Sequence, residues 1–340
     1  MIWLRLAIAG VLPILAAQEP TPAAMGPGAR TGPRFDVRDT LAALSQRSDA
    51  LVALELDNMR VVRADPTVAG AAWLLLAFLA NGSTMEIGPH RSEVRRLTKA
   101  LLEMQDERGQ FAREAVASSR SDQIVGTLAL LVAFERSRLR TLHRPALIAC
   151  EFAWAQERVE HELGSLTRAP DPAAPTNEDG LLTLLVPTLS KMWPDELELP
   201  EWLEASQLAG VRDQLRELGN DLLASRKFGR TRRGDAALHL GQLMLGEPHP
   251  PELTVARTWP ASLTADPLHT VFAILAVSTD EKSLARQSKQ IEGLLAARVK
   301  DGPSAGMWPA AGGFDETTTT AMLAFAIGVA NGSPLLTRRK

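Results

Sequence analysis

Six aspartates recur along the chain, each at or just before the start of an apolar run: Asp65, Asp122, Asp179, Asp235, Asp266 and Asp315. Carboxylates gathered in one place can act as a general acid and base, or hold a cation. Two histidines extend the pattern, because His239 follows Asp235 by four residues and His269 follows Asp266 by three, and each pair then shares a helix face. A His–carboxylate cluster could bind zinc or shuttle protons. No complete metal-ligand motif is present, and neither a metal nor a cofactor is expected. Against this chemistry stands a structural role. Aspartate is a favoured helix N-cap, its carboxylate takes up free backbone N–H groups, and each cap is worth roughly 1 kcal/mol. Asp122, Asp179, Asp235, Asp266 and Asp315 are therefore candidates for catalysis or for capping, and His239 and His269 for ligand contact or for the core.

Two carboxylates near one mouth would also serve a glycosidase. Such an enzyme wants aromatic platforms for sugar rings, and Trp193, Trp259 and Trp308 fall between helical stretches; Trp259 and Trp308 are the ligand-binding candidates among them. Other chemistry is poorly supplied. There is no tyrosine and the aromatic share is 5%, so Trp73, Phe78, Phe134, Phe272 and Phe325 read as core. Cys150 lies in the apolar series Ala146, Leu147, Cys150, Phe152 and reads as a small buried hydrophobe without a disulfide partner. The basic run from Arg226 to Arg233 and the terminal Arg338, Arg339 and Lys340 are solvated stretches or contacts for an acidic partner. Thr317 to Thr320 open the last apolar run, where their hydroxyls are expected to cap backbone groups.

The elements that would position these residues come in pairs. Val94, Leu97, Leu101, Leu102 and Met104 recur every three or four residues between Arg91, Arg95, Arg96, Lys99 and Glu103, which predicts a helix with one wet face. Residues 123–134 (QIVGTLALLVAF) are too apolar to face water on any side, which predicts an inner helix. Similar inner helices are expected at residues 68–80, 181–189, 236–245, 269–277 and 317–328, at roughly 50-residue intervals, the range of a helix-pair repeat. Outer helices are expected at 37–59, 144–158, 208–223 and 281–299, with a proline-rich irregular stretch between Leu245 and His269. Asn81-Gly82 and Asn331-Gly332 end the first and last inner helices alike, and serve as helix stops rather than as sites of sugar attachment. The fold class is all-α.

Between the first two helices described above, the turn reads Leu101-x3-Gln105-x3-Gly109-x-Phe111, and residues 294–308 offer a second copy ending at Trp308. This pattern resembles the glutamine–tryptophan repeat of squalene cyclases and related protein prenyltransferases, with Phe in one tryptophan place. The resemblance implies an α/α toroid of about five to six helix pairs over residues 36–334. It extends to divergent secreted bacterial proteins with squalene-cyclase-like repeats. It also shows what is missing: the D-x-D-D acid motif of the cyclases is absent, and the Asp-x-Cys zinc pair of the prenyltransferases has Ile148 in the Asp place before Cys150. The lack of tyrosine removes the acid/base of toroid-shaped polysaccharide lyases.

The ends and the charge bound the remaining choices. Residues 1–17 read as a cleaved signal peptide, with Arg5 before an apolar run and Ala16 and Ala17 after it, so a secreted or periplasmic location is expected; an uncleaved anchor is the alternative. Residues 18–35 are a Pro/Ala/Gly-rich linker and 335–340 a basic tail. A net charge of −3 gives no global pull toward nucleic acid. The expected function is a non-catalytic toroid binding an apolar small molecule or a protein partner, with no transmembrane segment after cleavage. A hydrolase using the aspartates is the second reading, and an isoprenoid cyclase the third.

Overall fold

The computed structural model describes residues 33–51, 67–113, 116–117, 119–167, 233, 236–237, 239–240, 243 and 259–333. The expected signal peptide, the basic tail, Asp65, Asp179, Asp235, Trp193 and the expected helices at 181–189 and 208–223 lie outside the described residues. Among the described residues eight helices are defined: α1 (Arg38–Leu51), α2 (Val68–Ala80), α3 (Arg91–Glu103), α4 (Arg120–Ser137), α5 (Arg140–Thr167), α6 (Pro267–Val277), α7 (Glu281–Ala296) and α8 (Glu316–Ala330). Positions 233, 236, 237, 239, 240 and 243 are also helical. The described residues are all-α apart from one antiparallel pair of two-residue strands, β1 (Ala112–Arg113) and β2 (Val116–Ala117), in the turn before α4.

Two kinds of helix alternate, as the hydrophobic pattern requires. In α2 every residue but Ala69 is buried, all of α6 is buried, and α8 is buried from Thr318 to Ala330. α3 and α7 bury one stripe each, Val94, Leu97 and Leu101 in the first and Leu284, Ile291 and Leu294 in the second. α5 starts earlier than its sequence suggests and carries Pro145 inside. The stripe Leu142, Ala146, Ala149, Cys150 and Ala153 keeps helical spacing across the proline, and its burial outweighs the lost N–H.

The packing order follows a rule. The apolar helices neighbour one another in the order α6, α8, α2, α4. Each outer helix packs on the apolar helix that precedes it in the chain: α3 on α2, α5 on α4, α7 on α6. α1 packs on α8, the last helix in the sequence, as well as on α2 and α3. α2 and α8 run parallel, since Gly70 near the start of α2 lies by Thr318, while Gly328 near the end of α8 lies against Ala80 and Asn81. Trp73 and Phe325 meet between these helices with ring centroids 5.8 Å apart.

Turns of one design precede α4 and α8. Gly109 takes φ 88° and a Cβ there would lie 2.2 Å from the Ile148 carbonyl oxygen of α5. Gly306 takes φ 84° and a Cβ would lie 3.0 Å from the Asp39 carbonyl oxygen of α1. Only glycine combines that backbone with so close an approach. Two residues on, Phe111 and Trp308 are both fully buried. Phe111 N–H donates to Gln123 Oε1 (2.9 Å), and Trp308 N–H donates to Thr320 Oγ1 (3.0 Å), each twelve residues later. Gln105 Nε2 holds α5 through the Pro145 carbonyl (3.0 Å), and Arg298 holds α1 through Thr40 Oγ1 (2.9 Å).

The two Asn-Gly stops are also alike. After α2, Gly82 N–H donates to Leu79 O and Ser83 N–H to Phe78 O; after α8, Gly332 N–H donates to Val329 O and Ser333 N–H to Gly328 O. Both glycines have positive φ, and these paired bonds close the helix ends. The asparagine amides are spent on neighbours. Asn81 Nδ2 donates to Ala324 O in α8, while Asn331 exchanges two bonds with the Phe35 backbone. Among the described residues, no helix is long and apolar enough to cross a membrane.

Candidate functional site

The described aspartates at the apolar-helix starts are spent as caps. Asp122 is the fourth member of a capping box: its N–H is taken by Ser119 Oγ (3.1 Å) and its carboxylate accepts the Ser119 N–H (3.3 Å). Asp266 caps α6 by accepting the His269 N–H (3.1 Å). Asp315 caps α8 by accepting both the N–H and the hydroxyl of Thr318, each at 2.8 Å. The cap of α2 is Thr67, whose hydroxyl accepts the Gly70 N–H at 3.0 Å. Asp266 has a second partner the sequence did not suggest. Arg233, from the basic run, reaches it with Nη2 at 2.5 Å and Nε at 2.7 Å.

The starts of α6, α8 and α2 lie at one end of the apolar layer. Gly312, in the turn before α8, is close enough to α6 that a Cβ would lie 2.9 Å from the Pro267 ring, and Thr318 neighbours Gly70. Asp266 and Asp315 therefore belong to one rim. Among the described residues, no group of three or more His, Cys, Asp or Glu side chains could hold a metal ion.

The candidate histidines and tryptophans are buried. His239 and His269 are both buried, and the bond between Asp266 and His269 involves the histidine's backbone N–H, not its ring. Trp259 is buried, and Trp308 is wholly so, with its indole N–H given to the Leu294 carbonyl at 2.8 Å and the Arg298 guanidinium 5.9 Å from its ring centroid. Neither ring is open as a sugar platform. Thr320, from the threonine run, brackets Trp308 by meeting its N–H and its carbonyl. The Cys150 thiol is buried, and burial pushes its pKa far up, so it carries no thiolate at neutral pH.

Two charged clusters escaped the sequence reading. Glu93, in the first turn of α3, is a buried carboxylate. It accepts hydrogen bonds from Ser45 of α1 and from Ser92 Oγ (2.6 Å), and faces His90 Nδ1 at 3.4 Å. Burial alone would raise its pKa, but the hydrogen bonds from Ser45, Ser92, its own N–H and His90 together outweigh that and hold it at about 2. The arginine-rich join of α4 and α5 is the other. Helical spacing gives Glu93 a place on α3 but says nothing of Ser45, 48 residues away.

The chain matches no known family model, no curated protein and no solved structure.

Proposed function

We propose that this protein is an exported α/α toroid, similar in architecture to the terpenoid-cyclase and prenyltransferase folds, that works as a non-catalytic binding or scaffold domain. The packing order supports ring closure. A helix-pair array that ended open would leave α1 without a preceding apolar helix, whereas α1 packs on α8 and takes the Gly306 turn just as α5 takes the Gly109 turn.

The observation that carries the non-catalytic reading is the state of the carboxylates at the apolar-helix starts. Asp122, Asp266 and Asp315 each satisfy backbone donors of their own helix, and Asp266 is also neutralised by Arg233. A general acid and base pair needs carboxylates turned toward a substrate. The near-complete burial of α2, α6 and α8 by the protein itself favours a protein partner at the rim over an apolar molecule between these helices.

The test combines single Asp122→Ala, Asp266→Ala and Asp315→Ala substitutions with native mass spectrometry of the protein taken from its own envelope or secreted fraction. Loss of stability of roughly 1 kcal/mol per variant, with a protein partner retained in the mass, is the expected result. A stoichiometric apolar molecule recovered by organic extraction would move the ligand into the cavity. Turnover of a glycan or isoprenoid that one substitution abolishes at unchanged stability would overturn the non-catalytic reading in favour of a hydrolase or a cyclase.

A further inference from the structure

The Asn-Gly steps that close α2 and α8 carry chemistry of their own. Glycine has no Cβ to shield its backbone nitrogen, so that nitrogen can attack the side-chain carbonyl of the asparagine before it. The glycine N bonds to the asparagine Cγ and gives its proton to solvent hydroxide, the Cγ–Nδ2 bond breaks, and Nδ2 leaves as ammonia. Water then opens the succinimide ring to aspartate or isoaspartate. Neither Asn81 nor Asn331 reacts from its folded geometry. Gly82 N–H is held by Leu79 O at 3.2 Å and Gly332 N–H by Val329 O at 3.0 Å, and both side-chain amides are bonded. Reaction waits on opening, and the two sites do not open alike.

Asn81 is locked between two helices. Its Nδ2 donates to Ala77 O in α2 (2.8 Å) and to Ala324 O in α8 (3.1 Å), and a Cβ on Gly328 of α8 would lie 2.6 Å from that nitrogen. The turn beyond is tied as well, since Ser83 Oγ accepts the His90 N–H at 3.3 Å and a Cβ on Gly88 would lie 2.7 Å from the Ser83 Cα. Freeing Asn81 means parting α2 from α8, both buried along nearly their whole lengths, and that amounts to global unfolding. Asn331 is held by less. Its Oδ1 accepts the Phe35 N–H (2.7 Å) and its Nδ2 donates to the Phe35 carbonyl (2.8 Å), in the non-helical stretch 33–37 ahead of α1. The buried Ser333 hydroxyl just beyond meets no hydrogen-bond partner among the described residues. Release of that one stretch, with fraying of the last turn of α8, frees Asn331.

We propose that Asn331 is a deamidation site reached by local opening of the Phe35 clasp, whereas Asn81 reacts only through global unfolding. The product does not refasten. Its carboxylate keeps an oxygen for the Phe35 N–H but sets a second oxygen, with no hydrogen to give, against the Phe35 carbonyl where the amide donated. Isoaspartate also adds a methylene to the main chain. The clasp is therefore a one-way latch on the segment leading into α1. It lies at the opposite end of α8 from Asp315, and it stands or falls independently of the partner proposed at the rim.

The folded full chain is kept in mildly alkaline buffer, and conversion at each asparagine is followed by proteolysis and mass spectrometry, with the chain unfolded in urea as reference. Asn331 is expected to convert at least about tenfold faster than Asn81 in the folded protein, and the two at similar rates when unfolded. Urea added below the unfolding transition should speed Asn81 steeply and Asn331 little, because local opening exposes far less surface than global unfolding. Phe35→Ala, checked for unchanged helicity, removes the buried ring that seats the stretch and should speed Asn331 at least about tenfold. The urea series on the unsubstituted chain keeps the test decisive if that variant fails to fold. Asn331 converting no faster than Asn81, or responding to urea as steeply, would overturn the proposal, as would an Asn331 rate that a folded Phe35→Ala variant leaves unchanged.

Discussion

Replacing Glu93 with glutamine removes a charge from the seam between α1 and α3 while keeping the side chain's shape. In the folded protein this carboxyl titrates at about 2, against an ordinary 4.5. The gap of about 2.5, at 1.36 kcal/mol for each, corresponds to about 3 kcal/mol in favour of the folded state when the group is ionised. The direction follows from the depressed value. This stabilisation is fully present above the unfolded value near 4.5, and it drains away as pH falls toward 2. Glutamine does not titrate, and it places an amide donor where the carboxylate accepted from Ser45 or Ser92. Glu93→Gln should therefore cost about 2–3 kcal/mol at pH 7. Urea unfolding followed by circular dichroism on both proteins at pH 7, 5, 4 and 3 gives the difference directly. The wild-type advantage should hold from pH 7 to 5 and narrow below it. An advantage that stays constant down to pH 3 would mean the Ser45 and Ser92 bonds do not depend on the charge, and the reasoning fails.

Gly109→Ala should destabilise by more than about 2 kcal/mol, because it adds a methyl against the α5 backbone at a positive φ. Gly293→Ala, in the last turn of α7 with no neighbour within 4 Å of the new methyl, should stabilise by roughly 0.5 kcal/mol, and thermal melts of the pair check both signs. Cys150 should resist a thiol reagent in the native protein and react at once in denaturant, since its thiol is buried with a raised pKa; fast native labelling would contradict its place in the core.

The helices and their two classes were legible in the sequence because burial is written in periodicity. A segment such as 68–80 has no polar side to turn toward water, and α3 has one apolar stripe, so inner and outer roles follow before any contact is known. The stops at Asn81-Gly82 and Asn331-Gly332 were equally local, since a left-handed residue at a helix end asks for glycine. The cap role of Asp266 and Asp315 also lies within three residues of each. What the chain could not express locally depends on partners far apart in sequence. The Arg233–Asp266 pair, the Ser45–Glu93 bond, the Phe35–Asn331 clasp and the packing of α1 on α8 join residues separated by dozens to hundreds of positions. The same holds for Trp259 and Trp308, whose loop positions suggested open rings while neighbouring elements bury both. Periodicity reports which face of a helix avoids water; only the tertiary structure decides what covers it.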